Sequence, residues 1–259
     1  MSDPHSNIST YQPFNYCLHL ADNSLIMGHR LSEWTGHGPI LEQDIAISNI
    51  ALDLIGQSRN FYQYTAQIKG QGTTEDDLAY LREADEFKNI LLTELPNGDW
   101  AKTILKLFFF STYQYYLYQK LIGSTDAQIS AIAEKSLKEV IYHLRWSSEW
   151  VIRLGDGTEE SRNRIQSALN ELWAYADEMF LPSAYESECA KANIGVDVSS
   201  LKNDWENKVK VVFEEATLKI PVSKQNENIK GKQGDHTEHL QAILNDMQFL
   251  QRTYPGCEW

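Results

Sequence analysis

The sequence contains little of what disulfide-rich, all-β and membrane-spanning proteins require. Its 259 residues include only three cysteines, seven prolines and fourteen glycines. The cysteines are far apart and odd in number, with no Cys-x-x-Cys spacing, which excludes a disulfide scaffold and a zinc ribbon. So few prolines and glycines argue against an all-β chain rich in turns. The most apolar stretch, 104–110, contains Lys106 and is too short to cross a bilayer.

Basic residues are also scarce. The chain has 23 Lys and Arg against 36 Asp and Glu, which gives a net charge of −13 at pH 7. Such a chain is repelled by phosphate backbones and anionic lipids, so we expect neither a nucleic acid nor a membrane as its partner. The first residues lack the basic and apolar regions of a secretory signal, and we therefore expect a cytoplasmic protein.

What the sequence does contain is a series of long segments between widely spaced turn signals. Gly, Pro, Asn and Asp clusters separate stretches whose apolar residues recur at helical spacing. Asp99, Asp126 and Thr158 each stand where an N-cap is expected. These patterns predict helices at about 14–34, 41–69, 74–93, 100–122, 127–154, 158–180, 199–215 and 235–252, with an extended segment at 217–221.

Four of these segments have about 20 to 29 residues and short connections, as is typical of an antiparallel four-helix bundle. The segment 100–122 is apolar on nearly every face, which indicates a centrally buried helix. We therefore predict an all-α, ferritin-like four-helix bundle with additional helices. One domain would span 1–259, with the bundle over about 14–181 and a C-terminal extension over about 190–259 packed on it.

A bundle of this kind can hold two metal ions if its helices supply the right ligands. The standard set has a carboxylate from each of two helices and Glu-x-x-His from each of two others. Neither Glu-x-x-His nor Asp-x-x-His occurs in this chain, and no acidic residue lies between Asp99 and Asp126. The sequence therefore cannot assemble a standard di-iron site.

Other polar residues have two interpretations each. Glu139 and His143 lie four residues apart, where they could form an intrahelical hydrogen bond or ligate a metal. The tract His236-Thr237-Glu238-His239 resembles a metal tract, but Asp235 and Glu238 also have the spacing of a capping box. In both cases the structural interpretation is favoured.

Charged residues outside these tracts also favour structural roles. Asp53 and Arg59 lie on a segment that looks buried, where a salt-bridge network is expected. The polar segment Lys224–Gly234 predicts a mobile loop. Its lysines Lys224, Lys230 and Lys232 could reach a phosphate group, although solvated loop charge is the favoured interpretation.

Several stretches together resemble one known family, the C subunits of 1,2-phenylacetyl-CoA epoxidases. The resemblance runs from about residue 15 to the last residue and includes a final Trp. The segments that carry it are 21–24, 33–34, 49–60, 96–98, 138–145, 236–240 and 248–252.

The resemblance also implies a partner of similar fold, the catalytic A subunit, whose iron ligands can be aligned with this chain. The motif Asp-Glu-x-Gly-His aligns with 53–57, so that Leu54 replaces Glu and Gln57 replaces His. The motif Lys-Glu-Glu-x-x-His aligns with 138–143, so that Val140 replaces Glu while His143 remains. The two other carboxylates fall near Leu25 and at Ser111, so five of six ligand positions are lost.

What the resemblance implies is a structural, catalytically inactive subunit with no cofactor of its own. The complex would epoxidise the ring of phenylacetyl-CoA with O₂, using di-iron in the A subunit and NADPH electrons from a separate reductase. The chain alone could form a homodimer. The alternative is an independent metalloenzyme whose unusual site would involve His143 and Glu139, with His236 and His239 as further ligands.

Overall fold

The computed structural model describes residues 11–222 and 230–257. Within these ranges there are ten α-helices and no β-strand, which confirms the all-α prediction. The helices are α1 (Tyr11–Ser32), α2 (Leu41–Lys69), α3 (Glu75–Tyr80), α4 (Leu91–Glu94), α5 (Trp100–Leu121), α6 (Ala127–Gly155), α7 (Glu159–Ala176), α8 (Ala184–Lys191), α9 (Lys202–Glu215) and α10 (Glu238–Thr253).

The described residues form two compact units. Unit 1 comprises 11–96, 183–195 and 230–257, and unit 2 comprises 97–182 and 196–222. Each unit contains one pair of long helices, α1 with α2 in unit 1 and α5 with α6 in unit 2. The organisation as one domain with a bundle over about 14–181 stays a prediction.

Unit 1 is built on the close packing of α1 against α2. Gly28 of α1 lies at their contact, where a Cβ atom would be 3.1 Å from Cγ1 of Ile55 and 3.2 Å from the carbonyl oxygen of Ala51. A larger residue at position 28 would therefore push the two helices apart. Helix α8 packs against α1, α3 against α2, and α10 against α3 and α4.

Unit 2 buries a cluster of aromatic rings between α5, α7 and α9. The ring of Trp205 lies 5.3 Å from that of Phe109, 5.4 Å from Phe180 and 5.9 Å from Trp173, measured between centroids. The indole N–H of Trp205 donates to the carbonyl oxygen of Phe109 at 3.0 Å. The polar end of the largest buried side chain is thus satisfied inside an otherwise apolar core.

The predicted N-caps of α5, α6 and α7 in unit 2 are confirmed. The side chain of Asp99 accepts a hydrogen bond from the N–H of Lys102, and that of Asp126 accepts from the N–H groups of residues 128 and 129. Thr158 caps α7 in the same way. These caps satisfy N–H groups that have no partner within the helix, which is why short polar residues mark these positions in the sequence.

The predicted helix over 74–93 is wrong. The structure has the short helix α3, a 3-10 turn at 84–86 and the single turn α4, with extended backbone between them. The reason is tertiary, because side chains from α1 bind the backbone of this segment and replace the hydrogen bonds of a helix. Smaller differences occur at 177–180 and 198–201, which are 3-10 turns. Residues 218–221 lie in no helix or strand, so the extended segment stays a prediction.

The C-terminal predictions also need correction. Helix α10 begins at Glu238 and its N-cap is Thr237, so the capping box predicted from Asp235 and Glu238 is wrong. In the predicted loop Lys224–Gly234, Lys224 lies outside the described residues and Lys230 is exposed. Lys232 is not a solvated loop charge, because only 2% of its surface is exposed.

The expected burial of Arg59 is wrong, although its side chain does form a salt bridge. The Arg59 side chain is 68% exposed and its Nε lies 3.4 Å from Oε1 of Glu75.

Within the part of the chain that the structure describes, no helix combines the length and apolarity needed to cross a bilayer.

Candidate functional site

The six positions that the resemblance assigns to iron ligands all lie inside the protein. In unit 1, Leu25 lies on α1, and Leu54 and Gln57 lie on α2. In unit 2, Ser111 lies on α5, and Val140 and His143 lie on α6. None of the six is more than 5% exposed.

The chemistry of these side chains does not fit two iron ions. In unit 1 the three positions supply one donor, the amide of Gln57, and in unit 2 they supply the hydroxyl of Ser111 and the imidazole of His143. A carboxylate is missing from both sets, so nothing at these positions could neutralise the charge of two ions. The Ser111 hydroxyl has no hydrogen-bond partner among the described residues. The residues at these six positions therefore do not fit a di-iron group.

The remaining described residues offer no alternative metal site. Across residues 11–222 and 230–257, no group of three or more His, Cys, Asp and Glu side chains is arranged to hold a metal ion. The ionisable groups that are buried in unit 1 instead form three ionic clusters. Each cluster combines a carboxylate with a cationic or imidazole group.

The first cluster joins Asp22 of α1 to Arg82. The Arg82 guanidinium contacts both carboxylate oxygens of Asp22, at 2.5 and 3.1 Å, and its face lies 3.9 Å from the ring centroid of Phe87. The Tyr62 hydroxyl donates to Asp22 at 2.5 Å, and the Lys88 N–H donates to it at 2.8 Å. Burial and the neighbouring Asp22 charge raise the pKa of Tyr62, so the phenol stays protonated and acts as a donor.

The second cluster centres on Glu94, which is fully buried. Its carboxylate accepts hydrogen bonds from Nδ1 of His236 at 2.8 Å, from the Thr237 N–H at 2.6 Å and from the Asn89 amide at 2.8 Å. Its backbone carbonyl accepts two hydrogen bonds from Arg30.

His236 is the cation of this second cluster. Its Nε2 faces the carbonyl oxygen of Phe87 at 2.9 Å, so both ring nitrogens face acceptors and the imidazolium form satisfies both. Burial alone would lower the pKa of His236, but the hydrogen bond and charge of Glu94 outweigh it and raise the pKa above its usual value.

The third cluster pairs Glu186 with Lys232. The Lys232 ammonium lies 3.0 and 3.1 Å from the two carboxylate oxygens, and the Ser183 N–H donates to the same carboxylate at 2.7 Å. Burial opposes ionisation of Glu186, but the Lys232 charge outweighs it and lowers the pKa of the carboxyl group. Both side chains are at most 2% exposed, so this is a fully buried ion pair.

His19, at the edge of this third cluster, is neutral. Its Nδ1 lies 2.6 Å from the carbonyl oxygen of Lys88 and must donate to it. The Asn23 amide orientation is fixed by the Ile90 N–H, so Asn23 donates to Nε2 of His19 at 3.1 Å. Nε2 is therefore the unprotonated nitrogen. Burial lowers the pKa of His19, which agrees with the neutral ring.

These clusters perform one physical task together. The segment 82–94 has little helix of its own, and its N–H and C=O groups are bound by buried side chains of α1 and of residues 230–257. A buried backbone group without a partner would be costly, and these side chains remove that cost. The charged groups are saturated by structural hydrogen bonds, so the arrangement supports stability and leaves no free group for catalysis among the three clusters.

Sequence reasoning missed these clusters, although one signal was present. The polar residues His19, Asp22, Asn23 and Arg30 lie on one side of the otherwise apolar α1. Polar side chains at helical spacing within a buried helix indicate that another segment needs hydrogen bonds there. The partners of these residues are far away in the sequence and leave no local pattern.

The tract 236–239 has the favoured structural role. His236 belongs to the Glu94 cluster, Glu238 is exposed, and the His239 N–H donates to the Thr237 hydroxyl at the start of α10. The roles suggested for Glu139 and His143 stay predictions. Glu139 and His143 lie in unit 2, whereas His236 and His239 lie in unit 1.

Comparison with known proteins now gives the class of protein. The sequence profile of the phenylacetic acid catabolic proteins matches residues 2–259. The chain therefore belongs to the phenylacetic acid catabolic protein family, and the predicted ferritin-like helical class is confirmed.

One relative of this family is similar along nearly its whole length. The chain is 44% identical over 244 residues to the C subunit of the 1,2-phenylacetyl-CoA epoxidase of Escherichia coli strain K12. The alignment covers 94% of this chain and 98% of that protein. The resemblance inferred from the short motifs is thus confirmed.

Proposed function

We propose that this chain is a non-catalytic structural subunit of a multicomponent 1,2-phenylacetyl-CoA epoxidase in aerobic phenylacetate breakdown. The observation that carries the proposal is the 44% identity to the C subunit of such an epoxidase over almost the whole of both chains. Similarity over 94% of the chain spans both units, so it is not a likeness of one motif.

The side-chain chemistry supports a structural role within such a complex. The six positions aligned with iron ligands carry no carboxylate, and the buried carboxylates Asp22, Glu94 and Glu186 are bound to Arg82, His236 and Lys232. Freeing any of them for a metal would leave a buried cation without its counter-charge. These buried carboxylates therefore support a role in stabilising the fold rather than in binding a metal.

The proposal assigns the chemistry to other components. A catalytic A subunit of similar fold would hold the di-iron group and form a hetero-oligomer with this chain in the cytoplasm. A separate reductase would supply NADPH electrons, and the complex would epoxidise the ring of phenylacetyl-CoA with O₂. This chain would hold the catalytic subunit in an active arrangement, with no nucleic acid or membrane involved.

Reconstitution tests the proposal directly. The catalytic subunit and the reductase are assayed for epoxidation of phenylacetyl-CoA with and without this chain, and the chain is co-purified with a tagged catalytic subunit. We expect a stable complex and epoxidation only when all components are present. Full activity without this chain, or no complex, would contradict the proposal.

A matched pair of variants makes the test specific for the fold of this chain. Arg82→Met breaks the Asp22 cluster, whereas Arg59→Met removes an exposed arginine of the same unit. If the chain acts as a scaffold, activity of the complex falls with Arg82→Met in proportion to the loss of folded chain. Arg59→Met is expected to leave it unchanged.

A further inference from the structure

Residues 230–257, which we call the C-terminal arm, belong to unit 1, although residues 196–222 before them belong to unit 2. The large apolar side chains that the arm buries are Leu240, Ile243 and Leu244 of α10. Helix α1, by contrast, buries apolar side chains along most of its length. Because less apolar burial holds the arm in place, its ionic contacts contribute a large share of the free energy of docking. A segment held in this way can open locally while the rest of a domain stays folded.

Two buried ionic contacts anchor the arm near its start. The Lys232 ammonium pairs with Glu186 of α8, and both side chains are at most 2% exposed. Four residues later, Nδ1 of His236 lies 2.8 Å from Oε2 of Glu94 on α4, and this imidazole is only 4% exposed. The Thr237 N–H donates to the same Glu94 carboxylate at 2.6 Å. Each anchor therefore joins a basic side chain of the arm to a buried carboxylate of unit 1.

The second anchor is complete only when both ring nitrogens of His236 carry a proton. Nδ1 faces the Glu94 carboxylate, and Nε2 faces the carbonyl oxygen of Phe87 at 2.9 Å. A neutral imidazole can donate from one of its nitrogens alone. In the docked arm, a neutral ring would therefore turn a lone pair towards an acceptor oxygen. Docking thus favours the imidazolium form and takes up a proton.

The charges that face His236 agree with this geometry. Burial lowers the pKa of His236, but Glu94 on α4 and Asp22 on α1 outweigh it, and the pKa lies above its usual value. Arg30 of α1 is bound to the backbone, where it donates to the carbonyl oxygens of Glu94 and His239. In an undocked arm the ring would be in water, with a pKa near 6.5. Docking and proton uptake are therefore linked between pH 6.5 and the raised pKa.

We propose that the C-terminal arm is a pH-dependent latch, which docks on unit 1 when His236 carries a proton and opens locally when the ring is neutral. Opening would release the carbonyl oxygens of Ala79 and Arg82, to which Gln248 of α10 donates in the docked arm. Helices α1 and α2 would stay folded, because they pack directly on each other. The latch is closed most firmly below pH 6.5 and loosens as the pH rises. The proposal rests on unit 1 alone and does not depend on the proposed function.

Hydrogen exchange of the full-length chain, followed by mass spectrometry over a pH series, tests the latch directly. After correction for the intrinsic exchange rate, the opening constant of the α10 amides should rise by up to tenfold per pH unit above 6.5. It should level off beyond the folded-state pKa of His236. The α2 amides of the same unit should have an opening constant at least tenfold smaller. An α10 opening constant that does not depend on pH, or one equal to that of α2, would overturn the proposal.

A matched pair of histidine variants tests which residue takes up the proton. His236→Gln keeps a donor but cannot titrate near neutral pH, so the pH dependence of α10 opening should disappear. The control is His239→Gln, because His239 lies on the same arm and is partly exposed. This control should keep the pH dependence of the wild type. A pH dependence that persists in His236→Gln, or that is lost in His239→Gln, would overturn the assignment of the proton to His236.

The other anchor offers a test that does not involve titration near neutral pH. Lys232→Met leaves the buried Glu186 carboxylate without its cation in the docked arm, and should raise the α10 opening constant by about a hundredfold or more at every pH. The control is Lys230→Met, because Lys230 is exposed on the same arm and should change opening by less than about threefold. An unchanged opening constant for Lys232→Met, or equal effects of the two variants, would overturn the proposed two anchors.

Discussion

Unit 1 and unit 2 stabilise their buried helices with different side chains. In unit 1, Asp22, Glu94 and Glu186 are buried with their cationic partners, whereas the core of unit 2 is dominated by rings packed around Trp205. Unit 2 also buries Lys106 and Glu178, so the contrast is one of degree.

The contrast follows from the backbone that each unit contains. Long helices satisfy their own N–H and C=O groups, so the α5, α6 and α7 layers of unit 2 can be joined by apolar rings. The segment 82–94 of unit 1 has too little helix for that, and side chains must supply its hydrogen bonds. The buried charges of the three clusters in unit 1 therefore bind irregular backbone.

The largest expected effect comes from placing a carboxylate at a position that the resemblance aligns with an iron ligand. Leu54→Glu in unit 1 and Val140→Glu in unit 2 should each lower the free energy of unfolding by about 4–5 kcal/mol, because a lone buried carboxylate has no counter-charge. Urea unfolding measures this. Ile141→Glu is the control, because Ile141 is next to Val140 in the sequence but is 51% exposed. This substitution should change the free energy of unfolding by less than about 0.5 kcal/mol. An unchanged midpoint for Val140→Glu would show that position 140 does not face a dry core.

The next effect is the loss of a buried ion pair in unit 1. Arg82→Met removes the partner of Asp22 and should cost about 3–5 kcal/mol, since the carboxylate stays buried without its cation. The exposed pair offers the comparison, and Arg59→Met should cost less than about 1 kcal/mol. Equal losses in urea unfolding would contradict the assignment of the Asp22 cluster to the stability of unit 1.

A smaller effect is expected in the aromatic core of unit 2. Trp205→Phe keeps an aromatic ring but removes the hydrogen bond to the Phe109 carbonyl, and should cost about 1–2 kcal/mol. The same unfolding measurement applies, with Trp150→Phe as a half-buried control. A loss as large as that of Arg82→Met would remove the proposed difference between the two units.

The smallest effect is a pH dependence in unit 1. His236 has a raised pKa in the folded state. Its contribution to the free energy of unfolding is therefore fully present below its unfolded-state pKa, near 6.5, and is lost as the pH rises through its folded-state pKa. His19 has a lowered pKa and acts oppositely, since its neutral ring costs stability as the pH falls below 6.5.

His236→Gln separates these two titrations. The difference in free energy of unfolding between wild type and this variant should shrink as the pH rises above 6.5. The free energy of unfolding of the variant itself should rise as the pH increases from the lowered pKa of His19 towards 6.5. Denaturant unfolding at several pH values measures both trends, with the exposed His37→Gln as the control. A difference that does not depend on pH would contradict the charged state of His236.

Much of the fold could be predicted because its signals are local. Asp99, Asp126 and Thr158 bond to N–H groups two or three residues away, so the helix starts of unit 2 are visible in the sequence. The segment 81–90 could not be predicted, because its hydrogen bonds come from side chains more than 60 residues away, such as Asp22 and His236.

For the candidate site, too, the features formed by neighbouring residues could be predicted and the contacts between distant residues could not. The missing Glu-x-x-His spacing is a property of neighbouring residues and could be read directly. The pairs Glu94–His236 and Glu186–Lys232 are separated by 142 and 46 residues, so no motif announces them. The polar sequence around Lys232 predicts a solvated charge and contains no sign of Glu186, the buried carboxylate that binds it.

We propose that this chain combines a ferritin-like helical fold with side chains that do not fit two iron ions. Iron analysis of the purified chain, loaded with ferrous ion without oxygen and then desalted, tests it most directly. We expect far less than one iron per chain and no di-iron absorption after exposure to oxygen. Two tightly bound irons per chain would contradict it.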